Sequence, residues 1–540
     1  MATPVDRSRS RLAPAVPSWR RLTVLVSLLL LGWAALLPPG RTPQWWHYAA
    51  GVALILAFLG SWHGQHVSTT VRRWAPVSAY NRRLRSRRLS QRPTATTSAA
   101  TPPEPAHGSD ILQAQVVIHL RPHAHALTTP SDTADQLPWR FITSWLDRYG
   151  VRADAVTITA LTRTPPASGL RTDAAALLTG RTPQHRDTWL TYTLRAESNV
   201  GALTARRTTM GHAPAESGGA EAESGHTPQQ TALADTVARR LVAELREQGW
   251  LATVTEADTC PVFTPPAATV RREHWTATEH ADGFRAVYAV EPGQLATVLD
   301  TLPALSTKAT WVVMTVRDPG GRSVTADTAV GIVSSAKPSR NPLPGLTGFH
   351  GLHRKVASAL SVTGFDQSRF SLPQAQLSWD ALTSLRWTTA AAGVPIGFNR
   401  NREPVYLGLA SPEPVRVTIT GTGQFQVGIV SRLALSGLPV ALYTADPRPW
   451  ASLGNHGATQ QFSVRPAALQ PGAIVVTDGS VDPPNGGGLT VTLRRPQSAQ
   501  APSTTIVITQ DGARADLFQL ITGHDRQWLS TRLVEAAPRR

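Results

Sequence analysis

A single cysteine, Cys260, stands in a chain of 540 residues. One thiol cannot close an intramolecular disulfide, and it cannot supply a cysteine-based zinc site. It agrees with a reducing compartment without requiring one. Lysine is nearly absent too: Lys308, Lys337 and Lys355 are the only ones. Arginine, alanine, threonine and proline abound instead, a bias that speaks of a high-G+C genome more than of a function. The signatures of common catalysts are also lacking. There is no H-E-x-x-H, and no G-x-S-x-G elbow to present a serine nucleophile. Isolated groups remain. His123 and His125 flank one alanine, with no carboxylate cluster beside them. Asp366, Asp380 and Asp478 are scattered, and Asp478-Gly479 reads as a turn. Cys260 precedes Pro261 in a loop, and a lone cysteine is more often a small apolar packing residue than a nucleophile. These groups assemble no catalytic, cofactor or metal site.

What the chain does have begins at Leu22. Leu22 to Leu37 and Trp45 to Trp62 are two runs without a charge. At the helical rise they span about 24 and 27 Å, slightly less than a hydrocarbon core of ~30 Å. Each reads as a short membrane-spanning helix. Trp45, Trp46, Tyr48 and Trp62 end the second run, where amphipathic rings favour the headgroup layer. Arg7, Arg9, Arg11, Arg20 and Arg21 precede the pair. Arg72, Arg73, Arg82, Arg83, Arg85, Arg87, Arg88 and Arg92 follow it, and the turn between holds Arg41 alone. Positive flanks stay inside, so the N-terminus and the body are expected in the cytosol and only the turn outside. A buried helical hairpin and a cleaved signal peptide are the alternatives. The first would have to lack charge on all faces. Pro38-Pro39-Gly40 is a poor cleavage site for the second.

The net charge of +17 is local. Residues 1–92 carry 14 arginines and one acid, Asp6, and so hold +13 of it. The basicity therefore reads as a topology signal and a contact for anionic lipid headgroups along Arg72–Arg92. Nucleic acid is not expected as a partner, because no recognisable binding fold accompanies these arginines.

The chain divides by composition. Residues 1–21 are a basic cytosolic tail, 22–62 the hairpin, and 63–109 an arginine-rich juxtamembrane segment with a linker. A helix is predicted from Val77 to Arg92. Residues 110–334 read as an α+β region carrying a flexible insert at 211–230. Strands are predicted at Ile111–Leu120, Ala155–Leu161, Thr188–Leu194 and Leu251–Thr255, with helices at Leu137–Gly150 and Thr231–Gly249. Strand, helix, strand, strand recurs at Phe284–Val333, which suggests two related halves packing their sheets together. Residues 335–390 read as a Pro/Gly-rich connector with one short helix near His353–Leu360. Residues 391–525 read as a C-terminal α/β domain with a largely parallel sheet, closed by a short helix at Ala513–Leu520. Residues 526–540 are a tail.

The C-terminal domain holds the one loop that resembles a phosphate cradle. The strand VRVTIT, Val415 to Thr420, runs into Gly421-Thr422-Gly423-Gln424-Phe425-Gln426-Val427-Gly428 and then a helix. The context suits phosphate, but the chemistry is missing. No lysine follows, and Gln426 stands where a dinucleotide fingerprint needs its third glycine. The reading is a tight βα turn without a ligand. Gly423 would resist alanine if that turn needs a positive φ.

Three features together resemble the EccE family, a membrane component of the actinobacterial type VII (ESX) secretion machinery. One is the two-span hairpin followed by arginines. The second is RREHWTATEHADGFRAVYAVE, Arg271 to Glu291. The third is the block from Val394 through the glycine loop to Arg448-Pro449-Trp450. The resemblance implies a non-enzymatic, membrane-anchored structural subunit of the cytoplasmic membrane, working with EccB, EccC and EccD. EccC is the family's ATPase partner, so a degenerate loop here suits a non-motor role. A membrane-anchored nucleotide- or sugar-phosphate-handling enzyme, and a regulator acting through Arg72–Arg92, remain open as alternatives.

Overall fold

The computed structural model describes residues 12–14, 60–62, 65–90, 113–122, 127–129, 136–164, 185–209, 228–264, 270–318, 320, 323–389, 393–409, 414–451, 462–470, 472–484, 489–495, 505–523 and 525–531, with residues 23, 27, 45 and 49. Most of both apolar runs and of the insert at 211–230 lies outside the described residues, as do His123 and His125. Among the described residues no helix is long and apolar enough to cross a membrane. A small antiparallel ribbon joins Leu12–Pro14 to Gly60–Trp62, and the latter to Gln65–His66, so the run expected to be helical from Trp45 through Trp62 ends in a strand instead. Helix α1, Val67–Ser90, follows. It starts ten residues before the predicted Val77. Pro76 lies inside it and only deprives the Arg72 carbonyl of a partner.

The body forms one sheet. In its first half come β1 (Gln113–Arg121), α2 (Trp139–Ser144), β2 (Ala155–Arg163), β3 (His185–Arg195), α3 (Pro228–Glu247) and β4 (Leu251–Thr255). Their spatial order is β4-β1-β3-β2, antiparallel throughout. The order is a split β-α-β unit: β3 lies between β1 and β2. After the edge strands β5 (Val270–Glu273) and β6 (Thr278–His280), the second half repeats the plan. Its members are β7 (Gly283–Val290), α4 (Leu295–Thr301), β8 (Ala309–Arg317), β9 (Ser323–Ser334) and the short β10 (Leu346–Gly348). Here the order is β8-β9-β7-β10, the mirror of the first. The halves do not stack face to face. They share one sheet, joined by β2 and β8 over eight antiparallel pairs from Arg163↔Ala309 to Val156↔Val316.

Central strands read as nearly continuous apolar runs because both faces are covered. On one face Ile118, Ile158, Leu190, Tyr192, Met314 and Tyr288 pack under Leu241 and Leu245 of α3, Ile142 of α2 and Val298 of α4. On the other, Trp189, Val287, Trp311 and Val313 pack against Val356, Leu360, Val362 and Phe365. Residues 335–390 are therefore not a connector. They cover the second face and supply β10 and β11 (Gln374–Ser378), which pairs with β9. One threonine from each of β2 and β3 faces this cover and bonds to it. Thr159 and Thr191 both donate to the Val362 carbonyl, at 2.9 and 3.1 Å. Cys260 is buried in the same core, where burial and then Asp258 push its thiol pKa up.

The C-terminal domain has β12 (Val394–Phe398), β13 (Pro404–Leu407), β14 (Val415–Thr420), α5 (Gly423–Ala434), β15 (Val440–Tyr443), β16 (Phe462–Val464), β17 (Ile474–Thr477), β18 (Leu489–Arg494), β19 (Ile506–Gln510), β20 (Leu517–Ile521) and β21 (Arg526–Ser530). The sheet order is β16-β15-β17-β18-β14-β19-β20-β21-β12-β13. The first six strands are parallel, and from β19 onward every pairing is antiparallel, so the sheet is mixed. Beyond β13 the sheet gains Leu127–Thr128, lent by the loop after β1. This loan and a 2.8 Å contact of His185 Nε2 with the Ser436 carbonyl tie the two domains.

Two predicted helices are corrected. Ala513–Leu520 is not a closing helix: Phe518 and Leu520 are buried on alternate positions, the period of a strand. Its partner β21 lies in the segment expected as a tail. Leu137–Gly150 holds a helix only from Trp139 to Ser144. Tyr149 (φ 56°) and Gly150 (φ 71°) then form the two-residue turn of a hairpin between Asp147–Arg148 and Val151–Arg152. The α3 helix also starts at Pro228, within the last residues of the expected insert.

Candidate functional site

The glycine loop is filled by the protein itself. Thr422 caps α5, its Oγ1 accepting from the Phe425 N–H at 3.4 Å. Gln510 reaches in from β19, and its Oε1 accepts from the Thr422 N–H at 2.8 Å. From α5, Gln426 donates to the carbonyls of Arg494 (2.7 Å) and Gly421 (3.3 Å). A Cβ at Gly421 would lie 2.6 Å from the Phe425 ring and 2.8 Å from Gln510 Oε1. Glycine is therefore required there for close approach rather than for a ligand. Gly423 is different from what the sequence suggested. It has no positive φ, and a Cβ there meets nothing within 4 Å. Phosphate needs open backbone N–H groups and a cation. This loop offers amide side chains hydrogen-bonded to its own backbone.

The scattered acids are used locally. Asp366 accepts from the Ser368 N–H and hydroxyl. Asp380 lies in the first turn of a short helix, Trp379–Thr383. Asp478 accepts from the Thr444 hydroxyl at 2.6 Å and from Ser480. Burial would raise its pKa, but those hydrogen bonds outweigh it and hold the carboxyl low. Among the described residues no group of three or more His, Cys, Asp or Glu could hold a metal ion.

The junction between α1 and the edge of the body is built more elaborately. Arg73, Val77, Tyr80, Asn81 and Leu84 recur every three or four residues on the face that α1 turns inward. Val77 is buried. Asn81 acts as a strand partner for β5. Its Nδ2 donates to the Glu273 carbonyl (2.8 Å), and the Glu273 N–H donates to its Oδ1 (2.9 Å). The Glu273 side chain is buried and pairs with Arg354 at 3.2 Å. Burial pushes its carboxyl up, against the pull of Arg354 and then Lys355. The Arg354 guanidinium also lies over the Tyr80 ring, 4.2 Å from its centroid. Nearby, Gly351 (φ 73°) donates its N–H to the Trp275 carbonyl. A Cβ on Gly351 would sit 2.7 Å from the Trp275 ring and 3.1 Å from Arg73 Cβ. A bare backbone there lets helix and body close up. Sequence reading marked this helix only by its arginines. Asn81, Tyr80, Glu273 and Arg354 were missed. Asn81, the one amide within Val67–Ser90, was the only local signal.

No family model matches this chain. Comparison with curated proteins gives a consistent likeness. The ESX-3 secretion system protein EccE3 of Mycolicibacterium smegmatis is 26% identical over 338 residues, covering 62% of this chain and 86% of that protein. The protein of the same name from Mycobacterium tuberculosis, in two strains, is 27% identical over 385 residues, covering 70% of this chain and 95% of that protein. The alignments span most of each relative, and their name is that of the family whose hairpin, Trp-bearing stretch and C-terminal block this sequence resembles. These relatives support this chain as an EccE family member.

Proposed function

We propose that this chain is a non-catalytic, membrane-anchored structural subunit of a type VII (ESX) secretion complex, supporting its assembly and protein export. Residues 22–37 and 45–62 form a two-span hairpin in the cytoplasmic membrane, with the N-terminus and the body in the cytosol. EccB-, EccC- and EccD-like components are its neighbours. The Arg72–Arg92 segment faces anionic headgroups.

The observation that carries this reading is the junction of α1 with the body. The helix that follows the apolar runs is bonded into the sheet edge through Asn81 and Glu273, so the anchor and the body act as one lever. The ribbon pairing Leu12–Pro14 with Gly60–Trp62 supports the hairpin, since it sets the two ends of the intervening stretch side by side. The self-filled glycine loop supports a role without nucleotide chemistry. The test is purification of the tagged full chain from its native membranes. EccB-, EccC- and EccD-like proteins should co-purify. A chain recovered alone from membranes that hold an assembled ESX complex would sink the subunit reading. Saturable binding of labelled ATP, GTP or a nucleotide sugar would replace it with an enzymatic one.

A further inference from the structure

The docked helix leaves an open cleft of about 510 Å³ against the sheet edge, lined by Asn81, Leu84, Arg85, Arg271, Arg272 and Glu279. Three arginines line it from two elements. Alternation along a strand sends consecutive side chains to opposite faces. In β5, however, the register against β6 shifts between Val270 and Arg272. A bulge of this kind re-aims a side chain, and Arg271 and Arg272 both line the same cleft. On the other wall Asn81 is fixed by its two bonds to Glu273. Arg85 stands four residues on, one turn along the same side of the helix. The single carboxylate of the cleft, Glu279, is engaged by His274 at 3.0 Å, and the charges of Arg271 and Arg272 also act on it. Three arginines against one carboxylate leave the cleft with a net positive charge, which suits a phosphate oxyanion.

We propose that this cleft binds a phosphate group, held by Arg85 of α1 and by Arg271 and Arg272 of the bulged edge strand. An anion there bridges helix and body, so its binding reinforces the docking of α1. The headgroup phosphate of an anionic phospholipid and a free phosphate offer the same chemistry. The lipid source rests on the membrane hairpin proposed above, whereas the phosphate site rests on the cleft alone.

The test uses the full chain in an uncharged maltoside detergent. Inorganic phosphate, short-chain phosphatidylglycerol and short-chain phosphatidylcholine are titrated separately by calorimetry. Saturable phosphate binding is expected. Arg85→Gln and Arg272→Gln should each weaken it about tenfold or more, as loss of a charge-assisted hydrogen bond does. Arg82→Gln, on the outer face of the same helix, removes the same charge and should weaken it by no more than about threefold, because exposed charges are screened. Tighter binding of phosphatidylglycerol than of phosphate or phosphatidylcholine supports the lipid source. Tighter binding of inorganic phosphate than of either lipid overturns that source and assigns the cleft to a soluble phosphate. Absence of saturable phosphate binding, or equal losses in all three variants, overturns the site. A chain that binds phosphate but brings down no Ecc partner would discredit the subunit reading and leave the site standing.

Discussion

His353 shows how one residue can make the body sensitive to pH. It lies under β7, almost wholly buried, and its Nδ1 accepts the Val287 N–H at 3.1 Å. Burial, and then the charge of nearby His350, hold its pKa down to about 3. Geometry agrees, since a proton on Nδ1 would displace that hydrogen bond. A folded pKa below the unfolded value of about 6.5 means that the unfolded chain takes up the proton first. The stabilisation is therefore complete above about pH 6.5 and is lost as pH falls from there towards 3. The slope expected from this one group is up to about 1.4 kcal/mol per pH unit. In His353→Asn the Oδ1 can still accept from Val287 but cannot titrate. Its thermal midpoint should be lower than wild type at pH 7 and should fall less steeply between about pH 6 and about pH 4. Parallel slopes for the two proteins in differential scanning fluorimetry would mean that His353 does not titrate on unfolding.

At the scale of elements, α1 and β5 form the join on which the anchored reading depends. Each orphaned backbone group on a buried edge costs on the order of 1–3 kcal/mol. Asn81→Ala would leave both the N–H and the carbonyl of Glu273 without the side chain that satisfies them. It should speed hydrogen exchange at Glu273 and along α1 by about tenfold or more, while the strands β2 and β8 keep their protection. Unchanged exchange in α1 would show that Tyr80 and Val77 suffice to hold the helix. Sequence reading could not find this join, because Asn81 and Glu273 are 192 positions apart. Nor could it find the plug in the glycine loop, where Gln510 lies 88 positions from Thr422. What periodicity carries was legible. Leu251–Thr255 has the bounds expected for it, and α3 buries Leu233, Leu241 and Leu245 on the expected stripe. Errors arose where two periods competed. In Ala513–Leu520 the spacing of Ala513, Leu517 and Leu520 imitates a helix, but burial follows Phe518 and Leu520. The glycines and prolines of 335–390 suggested a spacer, although Val356, Leu360, Val362 and Phe365 in that stretch close a core.

The whole molecule is organised about one strand pair. Around β2 and β8 the two halves of the body run β4-β1-β3-β2 and β8-β9-β7-β10, so their outer edges point in opposite directions. One outer edge carries β5, β6 and, docked upon them, α1. The other half lends Leu127–Thr128 to the C-terminal domain. If the apolar runs cross the membrane as a hairpin, the body hangs from one edge of its sheet and the C-terminal domain is held by the other half. That arrangement requires the residues on both sides of the hairpin to share a compartment. The arginines before Leu22 and after Trp62 demand the same, while the turn holds Arg41 alone. A topology test is unusually clean in this chain, because its only native cysteine, Cys260, is buried. A cysteine introduced at Thr42 should react with an impermeant maleimide added to intact cells, and one at Ser109 should react only after the membrane is opened. Labelling of Ser109→Cys from outside, with Thr42→Cys protected, would invert the hairpin. The body would then lie on the far side of the membrane, and the cytosolic placement of the subunit would have to be abandoned.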